Sequence, residues 1–91
     1  MEHGKAHAAE ALLRQAALTV GQQKGVLDPD AVALRANLAF AIDAQKRYAE
    51  TEPLYRLLLR DARKVFGAHH PYTLTIENNL AYVLNKLDRA V

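Results

Sequence analysis

Apolar residues recur along this chain at spacings of three and four, with polar residues between them. Between 48 and 65, Leu54, Tyr55, Leu58, Leu59 and Ala62 fall on one side of a helix. Leu34, Leu38 and Ile42 repeat every fourth residue, as do Ile76, Leu80 and Leu84. The pattern predicts four helices, over residues 6–23, 30–45, 48–65 and 72–87. The breaks between them carry helix punctuation. Gly25 and Gly67 suit the position just past a helix end, where a left-handed backbone costs glycine nothing. Pro29 and Pro71 follow four residues later, and proline suits a first helical turn. Asp28 is a good N-cap for the second helix, and His70 a poorer one for the fourth. Gln45-Lys46-Arg47 fits a tight turn between antiparallel helices. Gly21 weakens the end of the first helix. Pro53 lies five residues into the third, so that helix is expected to start near Thr51 or to bend.

The same punctuation exposes an internal repeat. Shifted by 42 residues, Gly25 falls on Gly67, Pro29 on Pro71, and Asn37-Leu38-Ala39 on Asn79-Leu80-Ala81. Arg47 meets Arg89, and Glu10, Leu12 and Arg14 meet Glu52, Leu54 and Arg56. Phe40 and Ile42 meet Tyr82 and Leu84, which keep the apolar character. The matches sit at helix ends and on equivalent helix faces, which chance would not arrange. Ala39 and Ala81 are small residues where two helices would approach closely.

Composition agrees with an all-α chain. Of 91 residues, 51% are hydrophobic, with alanine and leucine, both strong helix formers, making up a third of the chain. One small domain is the most this length allows, with a thin core. The absence of cysteine excludes disulfides and thiolate metal sites. Apolar runs of at most five residues are too short to span a membrane, and Met1-Glu2-His3-Gly4-Lys5 leads into no signal core, so a cytoplasmic setting is expected. The net charge of +2 comes from interspersed signs, which points to a solvated surface and away from nucleic acid.

Three segments carry a family resemblance. Arg47-Tyr48-Ala49-Glu50-Thr51-Glu52-Pro53-Leu54-Tyr55-Arg56, Phe66-Gly67-Ala68-His69-His70-Pro71 and Asn78-Asn79-Leu80-Ala81 together resemble the 42-residue tetratricopeptide repeat of the kinesin-light-chain type. The first repeat departs from it, with Leu27-Asp28-Pro29 and Ala36-Asn37 in the matching places, and Thr51 stands where the family has alanine. The resemblance implies antiparallel helix–turn–helix units stacked in a right-handed solenoid. In that register the second and fourth helices are A helices and the first and third are B helices. Gly4-Lys5, Lys46 and Asp88 all fall at A–B turns, so residues 1–91 read as about two repeats cut from a longer array, or as a chain that covers its outer helices by self-association. The first helix, with Ala8, Ala9, Leu12, Leu13, Ala16 and Ala17, is apolar on more than one side, and the last adds Tyr82, Val83 and Leu87 to its stripe.

The function implied by this resemblance is a protein-interaction scaffold that holds an extended peptide on its concave A-helix face. Asn37 and Asn79 are the candidate contacts, because an amide donates and accepts and so reads a main chain. Asn78, Asn85 and Lys86 extend one end of the groove, and Phe40 and Tyr82 supply aromatic surface. The alternatives are that both asparagines bridge helices structurally, and that the array self-associates, spaces domains or regulates a larger signalling protein. A carboxylate clamp is disfavoured, since Phe40 and Tyr82 stand where asparagine is needed. Arg56, Arg60, Arg63 and Lys64 read as a solvated convex face balanced by Glu50, Glu52 and Asp61. His3 and His7 share a helix face with no third ligand, and adjacent His69 and His70 suit a loop. Threonines without a neighbouring His and acid, and no phosphate loop, give no support for an enzyme or a cofactor.

Overall fold

The computed structural model describes residues 2–90, with side chains from Gly4 to Asp88. Four helices follow one another: α1 (Glu2–Lys24), α2 (Pro29–Asp43), α3 (Tyr48–Val65) and α4 (Pro71–Ala90). Gly25 and Gly67 take φ of 98° and 94°, the left-handed conformation expected after a helix end. At the start of α2, the Asp28 carboxylate accepts the Asp30 N–H at 2.9 Å. The α2–α3 turn closes with Lys46 in the left-handed region, φ 61°.

His70 caps α4 better than its residue type suggested. Its Nδ1 accepts the Tyr72 N–H at 3.1 Å, the bond that Asp28 makes with Asp30 in α2. The imidazole also stacks on Phe66 at 4.5 Å and lies parallel to Tyr72 at 5.7 Å. His70→Ala removes cap and stack together and is expected to cost about 1–2 kcal/mol. His70→Asp should restore the cap without the stack and recover part of the loss. Urea melts of the two variants check the order.

Pro53 neither delays nor ends α3, which already starts at Tyr48. The proline removes the donor for the Ala49 carbonyl, but Ala49 and Pro53 are both exposed, so water can serve that carbonyl. The Thr51 hydroxyl lies 3.3 Å from the carbonyls of both Arg47 and Tyr48 and secures the first turn.

The helices pack in series. α1 lies on α2, α2 on α3 and α4, and α3 on α4, while among the described residues α1 makes no contact with α4. The chain is therefore a stack of helical hairpins and not a closed four-helix bundle. Its core combines Val32, Ala36 and Ala39 of α2 with Tyr55, Leu58 and Ala62 of α3 and Ile76, Leu80 and Val83 of α4. Ala39 is 1% exposed in that core, as its small size predicted. Ala81 is exposed, contrary to expectation, because no other helix covers it among the described residues. α1 buries Ala17 but leaves Leu12 73% exposed on its far side. A polar joint ties α1 to the α2–α3 turn: the Glu10 carboxylate accepts bonds from Arg14, Gln45 and Arg47.

Candidate functional site

The site residues expected from the sequence lie on α2 and α4, and the structure gives them different roles. Asn79 is half-buried. Its side-chain amide donates to the Tyr55 hydroxyl at 3.5 Å, and that hydroxyl donates to the Asp43 carboxylate at 2.7 Å. The chain Asp43–Tyr55–Asn79 therefore links α2, α3 and α4 from inside. Burial, and then the neighbouring Asp43 carboxylate, push the Tyr55 phenol well above its ordinary value, so it stays protonated and donates. Asn37, the 42-residue counterpart of Asn79, is also half-buried, but Leu13 stands where its Tyr55 equivalent would be. Among the described residues Asn37 makes no side-chain hydrogen bond, so its amide groups remain available.

The aromatic pair also divides. Phe40 is half-buried and tilts against Tyr55 at 6.2 Å. With His70, Pro71, Tyr72 and Thr75 it lines a shallow groove of about 230 Å³ where α2 meets the first turn of α4. Tyr82 is 51% exposed and meets Tyr48, at the start of α3, edge-on at 6.2 Å. Lys86 Nζ lies 5.3 Å from the centre of the Tyr82 ring, within cation–π range. Asn78 and Asn85 are exposed one turn either side of Tyr82 and make no side-chain hydrogen bond among the described residues. Tyr82 therefore sits at the middle of an exposed strip on α4 with an amide on each side and a cation over its ring.

Tyr48 was not anticipated as a site residue. Nothing in its spacing pairs it with Tyr82, because the contact depends on the end of α4 passing the start of α3. A second, larger groove of about 380 Å³ lies on the other side of α2, lined by Ala17, Leu18, Gly21, Val26 and Leu38 together with Arg14, Gln22 and Arg35. Its two arginines already have partners. Arg14 bonds Glu10, and Arg35 bonds Asp61 at 2.8 Å and the Val26 carbonyl at 2.9 Å.

The basic residues of α3 behave as a solvated face. Arg56 pairs with Glu52, Arg60 with Asp61 at 3.1 Å and Arg63 with Glu77 at 3.0 Å. Among the described residues no group of three or more acidic, histidine or cysteine side chains is placed to hold a metal, and His3 of the possible histidine pair lies outside the described side chains. No helix is long and apolar enough to cross a membrane among the described residues.

Comparison with known proteins gives one match. No curated protein and no solved structure is significantly similar to the chain. A family model described as tetratricopeptide repeat matches residues 30–90, which span α2 to α4. That match covers two thirds of the sequence and takes in both Asn-Leu-Ala helices, the Gly67 helix end and the α2–α3 and α3–α4 hairpins, so the chain belongs to the tetratricopeptide repeat family.

Proposed function

We propose that the chain is a protein-interaction scaffold that holds an extended peptide, or an extended segment of a larger protein, along the exposed strip of α4. The tetratricopeptide repeat is a non-catalytic interaction repeat, which supports the general reading. The observation that carries the specific one is Tyr82: a large aromatic, half in solvent, supported by Tyr48 and Lys86 and flanked by Asn78 and Asn85. A rigid aromatic anchor with amides on either side suits a main chain, since the ring supplies contact area and each amide can donate and accept. Asn37 and Phe40 extend the A-helix face onto α2. The 42-residue period and the loop Phe66-Gly67-Ala68-His69-His70-Pro71 favour the kinesin-light-chain-like subtype.

Selection from a displayed peptide library supplies the probe for a test. Tyr82→Ala is expected to weaken the selected peptide at least tenfold, about 1.4 kcal/mol. Asn78→Ala and Asn85→Ala should weaken it less, and Arg56→Ala, on the ion-paired face of α3, should leave it unchanged. Wild-type affinity in both Tyr82→Ala and Asn78→Ala, with melts showing folded protein, would remove the α4 strip as the binding face.

A further inference from the structure

The groove between α1 and α2 plays no part in the α4 strip. It follows α1 from Arg14 to Gln22, a run of about 12 Å, with Leu18 and Val26 standing 55% and 62% exposed on its walls. The counterparts of Arg14, Leu18, Gly21 and Gln22, 42 residues on, are Arg56, Arg60, Arg63 and Lys64 of α3. α3 packs against both α2 and α4, yet all four of these residues are exposed. A helix with a neighbour on either side thus keeps this face in solvent, so the face is open by its position in the repeat. The chemistry is what differs. Cationic side chains cover the face on α3, whereas Leu18 and Gly21 leave it apolar and hollow on α1. Glycine inside a helix costs stability relative to alanine. A Cβ at Gly21 would meet Val26 Cγ1 at an ordinary 3.7 Å, so packing does not demand the glycine. Its effect is to keep the groove open.

We infer that this groove docks a short amphipathic helix of a partner protein, with its apolar stripe on Leu18, Val26 and Leu38 and an acidic side chain beside Arg14. The walls decide the secondary structure of the occupant. An extended segment carries N–H and C=O groups that need partners along its length, and the side chains of Ala17, Leu18, Val26 and Leu38 offer none. A helix satisfies its own backbone. It needs apolar contact and close approach, which Gly21 permits. Charge decides the edge. Both charged residues that line the groove are arginines. Arg35 is held by Asp61 and the Val26 carbonyl, and its side chain is 19% exposed. The Arg14 side chain is 59% exposed, and its Nη2 bonds a Glu10 carboxylate that also serves Arg47. Among the described residues its Nε and Nη1 have no side-chain partner, so they are available to an incoming carboxylate. At the Val26 end Lys24 pairs with Asp30 and Asp28 caps α2, so the spare cation lies at the Arg14 end. The groove lies on α1 and α2 and stands independently of the α4 strip.

The probe comes from a displayed library of helix-forming peptides of about 14 residues, selected on the wild-type chain and counter-selected on Gly21→Leu, which fills the groove. The selected peptide should carry apolar residues at i, i+4 and i+7 with Asp or Glu beside them, and should gain helical circular dichroism on binding. Its affinity should fall at least tenfold for Gly21→Leu, although helix propensity should make that variant melt no lower than the wild type. Leu18→Arg, which installs at an exposed position the residue that α3 carries there, should give the same loss and guards against misfolding of Gly21→Leu. Arg14→Gln, and exchange of the peptide's acidic residue for its amide, should each cost about threefold or more and together no more than either alone, the mark of a direct pair. Tyr82→Ala should bind the peptide as the wild type does. Four results would overturn the proposal. They are a selection yielding no peptide that tells wild type from both groove variants, a peptide that binds without becoming helical, additive losses for the Arg14 pair, and a loss in Tyr82→Ala, which would move the peptide to the α4 strip. Sedimentation of the chain alone checks the occupant: self-association that both Gly21→Leu and Leu18→Arg abolish would give the groove to a second copy and equally overturn it.

Discussion

Tyr55→Ala is expected to lower stability by about 3–5 kcal/mol, the range for deleting a large buried side chain. For a domain of this size that is a large share of the total. Tyr55 is the largest of the fully buried side chains. It lies in the core formed by α2, α3 and α4 and packs against Phe40. Its hydroxyl joins Asp43 of α2 to Asn79 of α4. Alanine would leave a cavity at the point where three helices meet, and partial collapse could not restore the polar link. Tyr55→Phe separates the two contributions. It keeps the ring and loses only the hydroxyl, and Asp43 is exposed enough to regain water, so the expected cost is about 1 kcal/mol. Urea unfolding followed by circular dichroism gives both numbers. Equal losses for the two variants would mean that the hydroxyl link, and not the packed ring, holds the helices together.

Tyr55 also marks where sequence reasoning stops. Its place in an apolar stripe was readable from the spacing of Leu54, Leu58, Leu59 and Ala62, because helical periodicity is local. The Gly25 and Gly67 ends and the Asp28 cap were readable for the same reason: each depends on a few neighbouring residues. The hydrogen bond from Asn79 was not, since it joins residues 24 apart across two helices. Matched positions suggested matched roles for Asn37 and Asn79. The structure separates them because Asn79 bonds the Tyr55 hydroxyl, while the residue 42 positions before Tyr55 is Leu13, which has no hydroxyl to offer Asn37, a difference outside the Asn-Leu-Ala motif itself.

The remaining departures have similar causes. Ala81 matches Ala39 in type but is exposed, because burial depends on which helix lies opposite and residue identity does not report that. His70 was ranked below Asp28 as a cap on side-chain type alone. Its Nδ1 reaches the Tyr72 N–H because Phe66 and Tyr72 hold the ring between them. Tyr82 and Lys86 lie four apart on one helix, so their proximity was legible. The support from Tyr48 depends on how the ends of α3 and α4 cross.

Acid should unfold the protein chiefly by releasing α1, and Glu10 is the group that makes this so. Its carboxylate is almost fully buried and accepts bonds from Arg47 at 2.5 Å, Gln45 at 2.9 Å and Arg14 at 2.9 Å. Arg47 in turn binds Glu50, so the α2–α3 turn and the start of α3 are tied to the same point. Arg47, then Gln45 and Arg14, bring the Glu10 carboxyl from its ordinary 4.5 down to about 2. A folded value below the unfolded one means that the stabilisation is fully present above about pH 4.5 and is lost as pH falls toward about 2. Asp61 acts with the same sign. Burial raises its carboxyl, but bonds from Arg35 and Arg60 more than offset this and hold it below the usual range. The melting temperature should therefore be level from neutral pH down to about 5 and then fall steeply. Glu10→Gln is expected to cost about 2 kcal/mol at neutral pH, because it removes charge-assisted bonds and leaves Arg47 and Arg14 without their shared acceptor. It should cost progressively less in acid, where the wild-type carboxyl also becomes neutral, so the two melting curves should converge as pH approaches about 2. Parallel pH profiles for wild type and Glu10→Gln would show that α1 is held by its apolar contacts with α2 and that the buried carboxylate contributes nothing.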